Sequence, residues 1–155
     1  MVTVGTDGKG KTCLELGADQ AINYKNQDFE KILQQEGVDV ILDMIGADYF
    51  QIFLNILKPD GRLVQINSVK SDQVSFSIHQ VMNKRLTITG STLRGREYSF
   101  KKKLAQSVLQ HVWPLIQEGK FKTIIYKILP FTEAAAAHRL LEESEHTGKI
   151  VLVWE

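Results

Sequence analysis

Apolar positions along this chain alternate between short continuous or two-residue runs and a spacing of three to four, the periods of strand and helix respectively. Residues 1–4 form a short β-branched run closed by Gly5, and residues 8–16 have helical spacing that Gly17 ends as a C-terminal cap. Residues 21–24 predict a second strand. Phe29, Ile32 and Leu33 share one face of a helix over 28–35, Gly37 stops it, and the nearly continuous apolar run 38–44 predicts a strand buried on both faces. A helix over 48–57, the turn Lys58-Pro59-Asp60-Gly61 and a strand over 62–66 follow. A short helix over 78–83 leads to a strand over 86–93, and 100–118 predicts a long helix that Pro114 bends and Gly119 ends. A strand over 124–129, a helix over 132–143 with Thr132 as N-cap and a strand over 149–154 complete the chain.

Strands and helices therefore alternate, which predicts an α/β fold with a mainly parallel sheet, right-handed crossovers and helices on both faces. Composition is that of an ordinary globular domain, with 43% hydrophobic and 24% charged residues over 155 positions. The 19 Lys and Arg against 18 Asp and Glu leave a net charge of +1, so no general attraction to nucleic acid or anionic lipid is expected. No apolar run approaches the roughly 20 residues of a membrane span, and residues 1–4 are too short for a signal sequence. The single Cys13 cannot form an internal disulfide, which fits a reducing, cytoplasmic setting.

Local motifs exclude more than they assign. No Gly-x-Gly-x-x-Gly, Walker loop or Gly-x-Ser-x-Gly occurs, and His79, His111, His138 and His146 lack ligand spacing, so no metal site is expected. The segment Val4-Gly5-Thr6-Asp7-Gly8-Lys9 joins a strand end to a helix start. Such a tip suits an anion: Gly5 allows close approach, Thr6 offers a hydroxyl, and Lys9 supplies charge near the positive end of the helix. An ordinary solvated turn is the competing reading, with Asp7 repelling phosphate. Asn23 and Tyr24 would stand at the same end of the next strand, either against a ligand or at a plain sheet edge.

The run Leu16-Gly17-Ala18-Asp19-Gln20-Ala21-Ile22-Asn23-Tyr24, followed by Val38-Asp39-Val40-Ile41-Leu42-Asp43-Met44-Ile45-Gly46, resembles the nucleotide-binding domain of medium-chain dehydrogenase/reductases. Leu57-Lys58-Pro59-Asp60-Gly61-Arg62-Leu63-Val64, Gly90-Ser91-Thr92-Leu93-Arg94-Gly95-Arg96, and the ending Ala136-Ala137-His138 to Thr147-Gly148-Lys149-Ile150-Val151-Leu152 are similar to its zinc-independent, zeta-crystallin-like quinone oxidoreductase branch. The resemblance implies a Rossmann-like sheet over 1–120, a strand-helix-strand segment over 121–155, and NADPH-dependent hydride transfer to a quinone or related enone. It places Gly5, Thr6, Lys9 and Tyr24 at the 2′-phosphate of NADPH. Ile45, Gly46, Asn67, Ser68, Leu93 and the loop beginning at Ser144 fall toward the nicotinamide, beyond the carboxyl ends of the strands. It assigns no catalytic residue and implies a homodimer through the edge strand 86–93.

Family members run to about twice this length, and their first strand and Gly-rich turn have no counterpart here. In the order 3-2-1-4-5-6 that first strand is central, so residues 1–4 are expected either to pair directly with 38–44 or to leave a gap filled by another chain. Two further readings stay open: a non-catalytic nucleotide-binding or oligomerisation module, and a fragment of an enoyl or enone reductase.

Overall fold

The computed structural model describes every residue except Lys70, Lys122 and Glu155. Strand β1 (Val2–Val4) leads through α1 (Asp7–Glu15) to β2 (Ala21–Asn23), and the two strands pair in parallel with Val4 opposite Asn23. Helix α2 (Phe29–Glu36), β3 (Val38–Asp43), α3 (Ala47–Ile56), β4 (Leu57–Gln65), α4 (Ile78–Lys84) and β5 (Thr87–Gly90) build a parallel sheet ordered β3-β4-β5. After α5 (Tyr98–His111) and α6 (Trp113–Gln117), β6 (Ile125–Pro130) pairs in parallel with β7 (Lys149–Val153), α7 (Ala134–Glu142) crossing between them. The α/β alternation and parallel pairing read from the sequence are thus realised, among the described residues as three separate parallel sheets.

The core lies on one side of β3-β4-β5. Phe50 and Leu54 of α3 pack with Leu57, Leu63 and Leu86. Ile22, Phe29, Leu33 and Ile56 form a second cluster that Val38 and Ile41 join. Through this second cluster α2 and α3 tie the β1-β2 ladder to β3 without strand pairing. On the far side of β1-β2, α1 approaches closely because Gly10 is small: a Cβ there would stand 3.4 Å from both Ala21 Cβ and Val4 Cγ2.

At β3 one of two alternatives is excluded and one expectation fails. Among the described residues β1 pairs only with β2 and β3 only with β4, so direct pairing of residues 1–4 with 38–44 does not occur. Nor is β3 buried on both faces. Ile41 and Asp43 turn toward α3, whereas Val40 and Leu42 point the opposite way and are 59% and 62% exposed. Parallel strands ordinarily have both faces covered; here α2, α3 and α4 all serve one face.

Elsewhere the differences are local. Residues 58–61 bulge out of β4, whose register to β3 jumps from Val38–Leu57 to Val40–Arg62. Asp60 at the tip of the bulge takes a positive φ of 66° and its carboxylate receives Arg85 Nε and Nη2 at 2.8 and 2.7 Å. The Arg85 hydrogen bonds hold that carboxyl below the usual range. The predicted long helix is broken, not bent: Pro114 cannot donate to a preceding carbonyl, and the chain restarts at α6 with Pro114 in its first turn. Thr132 lies inside a 3-10 turn over Phe131–Glu133 and does not cap α7.

One long-range contact fixes α4 against the α3–β4 junction. Lys84 Nζ donates to the carbonyls of Leu54, Asn55 and Leu57 at 2.9, 2.8 and 2.7 Å. These are carbonyls that a helix end leaves without internal partners, and a cation suits the negative end of the α3 dipole. Partial burial draws the ammonium below its ordinary pKa. Replacing Lys84 with Met should lower the unfolding free energy by about 1–3 kcal/mol, read from the urea midpoint at unchanged slope; an unaltered midpoint would make the contact dispensable.

Candidate nucleotide-binding site

At the carboxyl end of β1 the register decides the geometry. Val4 faces Asn23, so Gly5 arrives beside Tyr24. A Cβ at position 5 would stand 2.8 Å from the Tyr24 hydroxyl oxygen and 3.7 Å from Lys25 Cε, so the missing side chain is what lets the phenol and the lysine stem converge there. Thr6 caps α1, its Oγ1 accepting from the Lys9 amide at 3.3 Å, which aims the helix start at the same crevice. Lys9 Nζ donates to the carbonyl of Ser144, a residue at positive φ after α7.

Asp7, which could repel a phosphate, is engaged elsewhere. Its Oδ1 accepts from Asn23 Nδ2 at 2.6 Å, and the buried Asn23 in turn receives the Lys25 amide on Oδ1 at 3.1 Å. Asn23 thus restrains the acidic group and shapes the turn that carries Tyr24 and Lys25. The crevice offers two lysines, a phenol, a threonine hydroxyl and a glycine, a set suited to a phosphate monoester beside a ribose. Lys25 is a group the sequence reading missed; its position after Tyr24 was the available signal.

A second concavity of about 570 Å³ opens at the carboxyl ends of β3, β4 and β5 and is lined by Gly46, Asn67 and Ser68 together with Gln65, Asp72, Ser91 and Arg96. Asp43 supports the turn that carries Gly46. Only 2% exposed, it accepts the amides of Ile45 and Gly46 at 2.8 and 3.1 Å and so folds the β3–α3 turn. Gly46 adopts φ 91°, and a Cβ there would come within 2.5 Å of Ser68 Oγ and 2.9 Å of the Ser71 carbonyl; only glycine fits. Asp43 is the last residue of β3, and a carboxylate three residues before a glycine is the mark of such a turn.

The residues read from sequence therefore divide. Gly5, Thr6, Lys9 and Tyr24 gather at the first crevice, and Lys9 brings the Ser144 carbonyl there too. Gly46, Asn67 and Ser68 share the second recess, with Ile45 in the turn beside them. Leu93 lines neither; it borders an open apolar groove of about 940 Å³ along α5 with Leu104, Val108 and Trp113.

The zinc-binding dehydrogenase family pattern matches residues 16–152. The chain belongs to that family. A 2-haloacrylate reductase of Burkholderia sp is 30% identical over 159 aligned positions, covering 97% of this chain and 46% of the relative. The Escherichia coli quinone oxidoreductase complexed with NADPH superposes with a TM-score of 0.82 at 26% identity, over 98% of this chain and 48% of that one. CurK enoyl reductase superposes with a TM-score of 0.73 at 25% identity, over 99% and 46%. The chain thus spans about half the length of these relatives. For this member of the zinc-binding dehydrogenases, the metal in the family's description finds no fitting donor set: among the described residues no three His, Cys, Asp or Glu side chains converge as a metal would require. Among them, too, no helix is long and apolar enough to cross a membrane.

Replacing Asp43 with Ala removes the acceptor for two turn amides and should cost about 1–3 kcal/mol. Amide hydrogen exchange at Ile45 and Gly46 should accelerate together while that of β1 and β2 stays unchanged. Exchange unaffected at Gly46 would remove Asp43 from the turn.

Proposed function

We propose that this chain is the nucleotide-binding portion of an NADPH-dependent reductase that delivers hydride to a quinone or a related activated double bond. The observation that carries the reading is the crevice at the β1–β2 tip, where the missing side chain of Gly5 lets Tyr24 and Lys25 converge beside Thr6 and Lys9, a set that suits the phosphate of a ribose. The coenzyme supplies the hydride. The chain's own residues bind and orient it: Lys9 leaves the Ser144 carbonyl for the stronger, charge-assisted bond to a phosphate oxygen, Asn23 keeps Asp7 aside, and the Gly46 turn holds backbone close to the opposite end of the ligand. The NADPH complex of the E. coli relative supports the choice of coenzyme.

The acceptor divides into two readings. Quinone follows from the likeness to the E. coli enzyme, whereas an activated carbon–carbon double bond follows from the 2-haloacrylate reductase and CurK enoyl reductase. Titration by quenching of protein fluorescence tests the coenzyme site directly. Lys9→Ala should weaken NADPH by about tenfold, the worth of one charge-assisted bond, and leave NADH nearly unchanged; equal losses for both coenzymes would remove the 2′-phosphate assignment.

The assembly we propose is a homodimer joined along β5, whose Thr87–Gly90 are all exposed at the free edge of the three-stranded sheet. An unpaired edge of this kind is a template for pairing with a second chain. Sedimentation should therefore show a dimer that Thr89→Asp converts to monomer, and a dimer indifferent to this change would place the contact elsewhere.

A further inference from the structure

Helix α5 runs for 14 residues and buries none of them. An isolated helix of that length is marginal in water, and most helical stability in proteins comes from packing an apolar face. The face is present. Leu104, Ala105, Val108 and Leu109 recur at helical spacing and, with Leu93 and Trp113, line the groove of about 940 Å³. Leu109 is 63% and Trp113 49% exposed. A contiguous apolar surface of this kind marks an interaction site.

The chain as a whole carries more open surface than its mass requires. It exposes 11572 Å², whereas a folded monomer of 17.6 kDa exposes about 7,900 Å². The difference, roughly 3,600 Å², is several times what a standard interface covers on each partner, about 800 Å². Pairing along the four residues of β5 covers only a small part of it.

Charge along the groove selects the occupant. Arg94 and Lys101 line one end and Trp113 the other, and among the described residues no acidic side chain lines it. Lys101 Nζ donates to the Arg94 carbonyl at 3.0 Å, which holds the cationic end together, and Lys102 and Lys103 follow in the sequence. A second copy laid parallel would bring the two lysine runs together, and like charges would oppose it. Laid antiparallel about a twofold axis, each copy's cationic end meets the other's indole, and a cation over an aromatic face is attractive, more so as water leaves. Ala105, near the middle of the seam, lets the two helix axes approach.

We propose that α5 docks antiparallel on α5 of a second copy of this chain, with Leu104, Ala105, Val108 and Leu109 forming the seam and Arg94 and Lys101 seated against the partner's Trp113. The groove begins at Leu93, three residues after β5 ends at Gly90, so one twofold axis can serve both the strand edge and the helices. The inference goes beyond the reductase reading and shares with the edge contact only the identity of the partner.

Sedimentation equilibrium of the full chain tests it, with Val108→Asp and Thr89→Asp run beside the parent. Val108→Asp, a change at an exposed position, should raise the dimer dissociation constant at least about tenfold, while an unchanged circular dichroism spectrum certifies the fold. Trp113 and Trp154 are the two tryptophans, so in a Trp154→Phe background the emission of Trp113 should move to the blue as protein concentration rises through that constant. Orientation is read by cross-linking in a Cys13→Ser background: a short bifunctional thiol reagent should join copies carrying Ala105→Cys and leave those carrying Lys101→Cys unjoined. A chain monomeric at every concentration would overturn the inference, and it is the outcome expected if an apolar small molecule or a different protein fills the groove. So would a dimer as tight in Val108→Asp as in the parent, a Trp113 emission indifferent to concentration, or cross-linking at position 101 in place of 105. A dimer that survives Thr89→Asp but not Val108→Asp would remove the edge contact and leave the helix seam standing.

Discussion

Val4 faces Asn23 across a parallel ladder only three residues long, and the first crevice depends on that register. In a parallel pair a shift of one residue would carry Gly5 past Tyr24 and turn the phenol to the other face. The register is held from both sides. Ile22 is buried among Phe29, Leu33 and Ile56, while Gly10 lets α1 close on Val4 and Ala21. The Asp7–Asn23 hydrogen bond then crosses the ladder at its carboxyl end, where slippage would break it at once. The same bond turns Asp7 from an electrostatic liability into a fastening for the helix start, where a carboxylate is favoured by the dipole.

The α/β alternation and the positions of most elements were legible because period and punctuation agree: Gly17, Gly37 and Gly119 stand at positive φ where the chain leaves a helix. What could not be read is the state of β3. Val40 and Leu42 belong to a continuous apolar run that promises burial on both faces, yet burial needs an element on each side. Local sequence states what a strand can tolerate, and the packing partners decide what it receives. The same reason hides the grip of Lys84 on three carbonyls, since its partners lie 27 to 30 residues away. Pro114 was seen but its effect misjudged: with its ring inside the first turn of α6, a restart costs less than a bend.

For the candidate site, the split follows the same logic. Gly5, Thr6, Lys9 and Tyr24 are joined by one short ladder and one helix start, so sequence proximity to those elements was enough to group them. Gly46, Asn67 and Ser68 come together because β3 and β4 are neighbours in register, which resemblance implied. Ser144 and Leu93 hang from α7 and from the segment before α5, whose placement depends on packing that no local pattern records.

The two concavities belong to different ladders, and among the described residues no strand pairing joins them. Their relative position rests on the cluster of Ile22, Phe29, Leu33 and Ile56, which grips the β1-β2 ladder and β3 from one side only. The opposite side presents the free flank of β3 with Val40 and Leu42, and α5 carries its own uncovered apolar stripe of Leu104 and Val108. A ligand long enough to occupy both concavities must cross this unpaired flank, so its binding energy would be spent partly on fixing the distance between them. Any strand seated between β1 and β3 would satisfy the open backbone groups, cover apolar surface and set that distance in advance. The geometries of the two concavities are therefore coupled through the one edge that neither of them contains.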